Sequence, residues 1–150
     1  MDYDARRELH RELVYRLKRE LTFYRSLYVL IVRQRDAALE GDEAKIALSY
    51  GELDAIIGGL RESQFAVSTM REKEPRLFDA AAKMAPVPEI VAEASEILAA
   101  AHKLIQESTH AARRHYRKLQ AELAKLGRER EALHAYKPKP GAGRILDGTR

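Results

Sequence analysis

The stretch LVYRLKRELTFYRSLYVLI at residues 13–31 carries large apolar side chains at alternating spacings of three and four residues. These side chains are Leu13, Leu17, Leu21, Tyr24, Leu27, Tyr28 and Ile31. The spacing lines them up along one side of an α-helix, since 3.6 residues make one turn. The other faces of the helix hold basic residues, so the pattern predicts an amphipathic helix over residues 4–40 with one apolar face. These residues are Arg7, Arg11, Arg16, Lys18, Arg19 and Arg25.

Residues that end or start helices divide the rest of the chain. Gly41 can adopt the left-handed conformation that ends a helix, and Asp42 can cap the next one. A second helix is therefore expected over 43–74. The five prolines stand at 75, 86, 88, 138 and 140. The proline-free stretch after position 88 repeats the helical spacing of apolar residues, which predicts a third helix over 89–133, roughly 65–70 Å long.

Three helices with one apolar face each can bury those faces only against one another. The short break at Gly41 forces the first two helices to run antiparallel. We therefore expect an all-α protein, an elongated antiparallel three-helix coiled-coil bundle formed by residues 1–135. Residues 136–150 contain two prolines and three glycines, a composition typical of a flexible C-terminal tail.

The third helix is predicted to be longer than its two partners, so part of its apolar face is expected to remain uncovered. The side chains concerned are Leu119, Leu123, Leu126 and Leu133. An uncovered apolar face of this kind serves as a binding site for a partner helix or for a second copy of the chain. In the tail, the apolar pair Ile145 and Leu146 suggests a short linear contact.

The sequence shows neither a catalytic motif nor the residue spacing of a metal site. The chain has no cysteine, and none of its histidine pairs in the third helix has the four-residue spacing of a helical metal site. No glycine-rich phosphate loop and no serine-centred nucleophile motif is present. We therefore expect a protein that is not an enzyme and that uses no metal and no cofactor.

The apolar runs of the sequence favour a cytoplasmic location. The longest apolar run, 27–32, has six residues, far fewer than the roughly 20 that cross a membrane, and no secretory signal pattern opens the chain. We expect a cytoplasmic protein without membrane insertion.

Residues 76–150 hold 14 basic and 9 acidic side chains. A basic helical module that binds nucleic acid is therefore one alternative, and a self-associating structural coiled coil is another.

Several features together resemble the FlgN family of flagellar export chaperones. They are the leucine-periodic segment 13–27, the stretch RQRDAALEGD at 33–42, and the pair Glu52-Leu53 with Ile57, Leu60 and Arg61. The tail adds Tyr136 with two glycines, at 141 and 143, a few residues beyond it. The order of long helix, Gly-Asp break, second helix, proline-containing link and third long helix is similar to that family over nearly the whole chain.

The resemblance implies a cytoplasmic, non-enzymatic chaperone of type III export that holds the hook-filament junction proteins FlgK and FlgL and delivers them to the export gate protein FlhA. By position, client binding falls on Leu119, Leu123, Leu126 and Leu133, and gate docking on Tyr136. We add Ile145 and Leu146 to the gate contact. Nucleic-acid binding is not implied, and a homodimer is an open expectation.

Overall fold

All regular secondary structure in the described part of the chain is α-helix, which confirms the predicted all-α class. The computed structural model describes residues 2–107 and 110–134, without the side chains of residues 2, 110–116, 118, 119 and 134. The helices of this part are α1 (Asp2–Glu40), α2 (Glu43–Lys73), α3 (Pro75–Ala82), α4 (Val87–Gln106) and α5 (His110–His134).

The turn between α1 and α2 forms as its two residues predict. Gly41 has a φ of 73° and its N–H donates to the carbonyl of Ala38 at 3.2 Å, which closes α1. The carboxylate of Asp42 accepts a hydrogen bond from the N–H of Lys45 at 3.1 Å, which caps α2. Because only these two residues separate the helices, α1 and α2 form an antiparallel hairpin.

The apolar face predicted for the first helix forms the centre of the core. The side chains of Leu13, Leu17, Leu21, Tyr24, Leu27 and Ile31 are all buried. They pack with side chains from the other four helices in a single cluster. Burying each of these leucines contributes about 1.5–3 kcal/mol relative to leaving it in water. The long helix α1 therefore acts as the element around which the others assemble.

Helix α4 runs in the same direction as α1, because α2 returns the chain to the start of the bundle and α4 begins there after α3 and a short link. Near the start of both helices, Nε2 of His10 in α1 lies 3.0 Å from the carbonyl oxygen of Ala85, in the link before α4. Further along, Arg25 of α1 forms an ion pair with Glu93 of α4. The Ala85–Pro86 peptide bond in the link is cis.

The prediction of one continuous helix over 89–133 is wrong. Residues 87–134 form two helices, α4 and α5, that pack against each other. In a straight helix Glu93 and Arg130 would be roughly 55 Å apart at 1.5 Å per residue. Instead, Glu93 pairs with Arg25 and Arg130 pairs with Glu20, only five positions apart on α1. Helix α5 therefore folds back along the bundle instead of extending beyond it.

We expect substitution by alanine to change the stability of the fold in opposite directions at Gly58 and Gly59, two adjacent glycines of α2. A Cβ added at Gly58 meets nothing within 4 Å, so Gly58→Ala should stabilise the fold by roughly 0.5–1 kcal/mol through helix propensity. A Cβ added at Gly59 would lie 2.7 and 2.8 Å from the two Cε atoms of Phe23. Gly59→Ala should therefore be about 1–3 kcal/mol less stable than Gly58→Ala. Urea unfolding measures both variants, and equal stabilities would contradict this packing.

Candidate protein-binding site

The leucines predicted to form an uncovered client-binding face are not exposed. Leu123 is 0% exposed, Leu126 2% and Leu133 7%. The prediction of exposure is therefore wrong for these three side chains. The physical reason is the reversal of the chain after α4, which turns the apolar face of α5 into the core, where its burial is favourable.

The other predicted site residues lie outside the described part of the chain. This holds for the side chain of Leu119 and for all of Tyr136, Ile145 and Leu146. Their assignment to client binding and to gate docking stays a prediction.

A buried ion pair fixes α5 against α1. The guanidinium of Arg130 contacts the carboxylate of Glu20, and their side chains are only 3% and 1% exposed. The hydroxyl of Tyr24 donates to Oε1 of Glu20 at 3.1 Å, and Nε of Arg130 lies 3.4 Å from that hydroxyl oxygen. Charged groups this deep in a protein require such partners, since an unpaired buried charge is strongly unfavourable.

The same burial changes the acid–base behaviour of these groups. Burial raises the pKa of the Glu20 carboxyl above its ordinary value, and the charge of Arg130 offsets this only in part. Burial also raises the pKa of the Tyr24 phenol, and the nearby Glu20 adds to the rise. For Arg130, burial lowers the pKa, but Glu20, Tyr24 and Glu129 together outweigh it, so the pKa is raised and this guanidinium remains charged. The cluster is a buried contact between α1 and α5, in which Glu20, Tyr24 and Arg130 are all nearly inaccessible to solvent.

One side of the bundle is open. Helix α1 packs closely on α2 and on α4, and α4 packs on α5, but within the described residues no Cα of α2 comes within 8 Å of a Cα of α5. A groove of about 490 Å³ lies between α2 and α5. Arg61 of α2 and Glu122 of α5 form an ion pair across it. This groove, which we call the α2–α5 groove, is the candidate binding site.

The α2–α5 groove combines an apolar anchor with charges of both signs. Phe65 projects from α2 at its edge with 74% of the residue exposed, and Leu126 contributes to its floor. The remaining lining is polar: Arg61, Gln64, Ser68, Glu122, Lys125, Arg128 and Glu129. Nε2 of Gln64 has no hydrogen-bond partner within the described part of the chain. An exposed aromatic ring beside polar side chains is typical of a protein-binding surface.

The spacing of apolar residues in the sequence does not identify Phe65 as a site residue, because it marks only one face of each helix. Phe65 lies off the face that carries Leu60 and Val67, so it is a single aromatic residue at a polar position. Its position beside α5 follows only from the reversal after α4. The break itself has a sequence signal, since Ser108 and Thr109 directly precede α5 and these two residue types are preferred at helix N-caps.

Neither a metal site nor a membrane-crossing segment is found in the described residues. No group of three or more histidine, aspartate or glutamate side chains within 2–107 and 110–134 is placed to hold a metal ion. No helix among these residues combines the length and the apolar character that crossing a bilayer needs.

We expect Arg130→Met to lose about 3–5 kcal/mol of folding free energy at pH 7.5, because it leaves Glu20 buried without its partner. The pKa of Glu20 in the folded variant then rises further above its unfolded value. The folded state therefore binds the proton more tightly, and stability present at acidic pH is lost as the pH rises through the folded pKa. Urea unfolding at pH 5.5 and 8 measures this.

The double variant Glu20→Met with Arg130→Met is the control for this prediction. It removes both charges, so most of the loss and the added pH dependence should disappear. A single variant whose stability is independent of pH, or higher at pH 8, would contradict the proposed origin of the effect.

Comparison with known proteins gives no relative for this chain. No family model matches the sequence, and no curated protein and no solved structure matches it.

Proposed function

We propose that this protein is a helix-binding chaperone that holds an amphipathic helix of a client in the α2–α5 groove. The supporting observation is the open side of the bundle, with Phe65 exposed at its edge. An amphipathic helix that inserts its apolar face into a groove between two helices is a common mode of protein recognition. The role requires no catalytic group, no metal and no cofactor.

A client helix would lie along the outside of the α2–α5 groove. Arg61 and Glu122 join α2 and α5 across the groove, so the client would pack over this ion pair and not between the two helices. Phe65 would move from water into this contact, and a buried aromatic anchor is the type of residue that contributes most to binding.

The charges around the α2–α5 groove favour a protein client over nucleic acid. Arg61, Lys125 and Arg128 alternate with Glu122 and Glu129. A nucleic-acid site would need a predominantly basic surface to neutralise phosphates. A client helix with lysine or arginine on one flank and glutamate or aspartate on the other matches this mixture. The basic nucleic-acid-binding module is therefore the weaker alternative.

The resemblance to FlgN supplies the class of client and the pathway. We propose that the clients are hook-filament junction proteins similar to FlgK and FlgL, held in the cytoplasm and delivered to the type III export gate protein FlhA. Hiding the apolar helix of such a client would prevent its premature association. The client contact proposed for Leu119, Leu123, Leu126 and Leu133 is replaced in this proposal by the exposed edge of the groove at Phe65, with Leu126 on its floor.

Phe65→Asp should lower the affinity for the client at least tenfold while the helical content stays unchanged. The side chain is mostly in water, so the substitution puts no charge into the core. In the complex, however, it would place a carboxylate where the client helix packs. Titration of the purified protein with FlgK-like and FlgL-like proteins by isothermal calorimetry measures the change.

Tyr15→Asp is the matched control for the groove. Tyr15 is 59% exposed on α1, away from the α2–α5 groove, so this variant should bind as the original protein does. Equal affinity of the Phe65 variant and the original protein would reject the groove as the client site. Absence of any binding by the original protein would reject this client class.

Removal of residues 136–150 should leave client affinity unchanged and reduce export of the client in a flagellated cell. The truncation removes Tyr136, Ile145 and Leu146, the residues proposed for gate docking, but none of the residues that line the groove. Secretion of the junction proteins and calorimetry with the purified truncated chain give the two readouts. Loss of client affinity, or full export, would contradict the division of roles between groove and tail.

A further inference from the structure

A groove of about 410 Å³ lies between the first turns of α1 and the link that joins α3 to α4. The link contributes Met84 and Pro86 to its lining, and α1 contributes side chains at helical spacings of three and four residues. Four of these side chains are permanently charged cations. We call this site the basic groove, because it is lined by Arg6, Arg7, Arg11 and Lys18.

The basic groove differs from the α2–α5 groove because its lining carries charge of one sign. No aspartate or glutamate is among the described residues that line it. Arg11 pairs with Glu8, which lies outside the lining, but the two side chains are 68% and 73% exposed, so this pair is weak. Arg6, Arg7 and Lys18 form no ion pair with any carboxylate in the part of the chain that the structure describes. These cations repel one another, and an anion that enters the groove is attracted to all of them.

Two sets of contacts form the basic groove before any ligand binds. The guanidinium carbons of Arg6 and Arg7 lie 5.6 and 5.7 Å from the centroid of the Tyr3 ring. A guanidinium over a ring uses its face for this contact and keeps N–H groups at its edge available for an anion. Nε2 of His10 lies 3.0 Å from the carbonyl oxygen of Ala85, which holds the link against α1.

We propose that the basic groove binds a single strand of nucleic acid, with phosphates on its cations and a base against Tyr3. From Arg7 to Lys18 the cations extend about 16 Å along α1, a length that suits several phosphates in a row better than one phosphate ion. Tyr3 is 59% exposed beyond one end of this row. A cationic groove combined with an aromatic ring on which a base can stack is the general pattern of single-strand binding.

The hydrogen-bonding groups of the basic groove favour nucleic acid over an acidic peptide. Arginine and lysine side chains are donors only, and phosphate oxygens are acceptors only, so each contact satisfies both partners. An extended peptide would also bring one N–H donor per residue, and the lining offers it no carboxylate. Val14, Met84 and Pro86 add apolar contacts of the kind that the flat faces of bases can use.

Two other occupants fit the basic groove less well. Residues 136–150 of the chain hold four basic side chains and one acidic side chain, so the groove would repel this segment. A nucleic-acid duplex keeps its bases stacked inside, where they cannot contact Tyr3, so we expect a duplex to bind more weakly than a single strand.

The inference does not depend on the proposed chaperone function. None of the residues that line the basic groove also lines the α2–α5 groove. The mixed charges that favour a protein client in the α2–α5 groove are absent from the lining described for the basic groove. Titration with an oligonucleotide needs no client, so the two proposals can fail separately.

Fluorescence anisotropy of labelled dT and rU dodecamers, titrated with the full chain, tests the proposal. At physiological salt we expect a dissociation constant of about 1–100 μM, the range of sequence-independent binding. A plot of log K against log[NaCl] should have a slope of about −3, since four cations neutralise four phosphates and each contributes about 0.7 on a single strand. An unlabelled single strand should compete more strongly than an unlabelled duplex.

Arg7→Gln with Lys18→Gln should bring the slope to about −1.5 and raise the dissociation constant roughly tenfold, because two of the four phosphate contacts are lost. Arg33→Gln with Lys103→Gln is the matched control. It removes the same two residue types from exposed positions outside the basic groove. This control should keep the slope and the dissociation constant of the original protein.

Tyr3→Ala separates stacking from charge. It should raise the dissociation constant at least fivefold and leave the slope unchanged, since stacking releases no counterions. Tyr15→Ala is its control, because Tyr15 is also 59% exposed on α1 but lies outside the basic groove.

Three results would overturn the proposal. The first is the absence of saturable binding by the original protein. The second is an equal effect of the groove variants and their controls. The third is competition by a glutamate dodecamer or by a duplex that is as strong as competition by the unlabelled single strand.

Discussion

The contact between Glu20 and Arg130 determines what the rest of this molecule can present at its surface. It holds the end of α5 against the middle of α1, with both side chains almost completely buried. Helix α5 can occupy this position only if the chain reverses after α4. Through this reversal the leucines of α5 become part of the core, and the open side of the bundle lies between α2 and α5.

The buried pair also explains how a chain rich in charge defines a single arrangement of its helices. Amphipathic helices can slide along one another with little change in buried apolar area, because leucine repeats along the whole face. A buried guanidinium and carboxylate allow no such sliding, since a shift by one turn would leave both without a partner. Glu20, Tyr24 and Arg130 therefore set the register of α5 against α1.

The surface that remains exposes two large apolar side chains of α2. Phe65 lies at the edge of the α2–α5 groove, and Leu48 is exposed nearer the start of the helix. The charges of both signs beside Phe65 are those expected along the flanks of a client helix. Helix α2 would thus provide the client contact, while α1, α4 and α5 provide the rest of the bundle.

Local patterns in the sequence determined the all-α class, the buried face of α1 and the turn at Gly41 and Asp42, since each depends on residues within a few turns of one another. Leucine spacing alone cannot distinguish one long helix from two that fold back, because both present the same face. The tertiary structure decided that question through the long-range pairing of Glu20 with Arg130. It thereby placed Leu123, Leu126 and Leu133 inside and left Phe65 at an open groove, which no local pattern specifies.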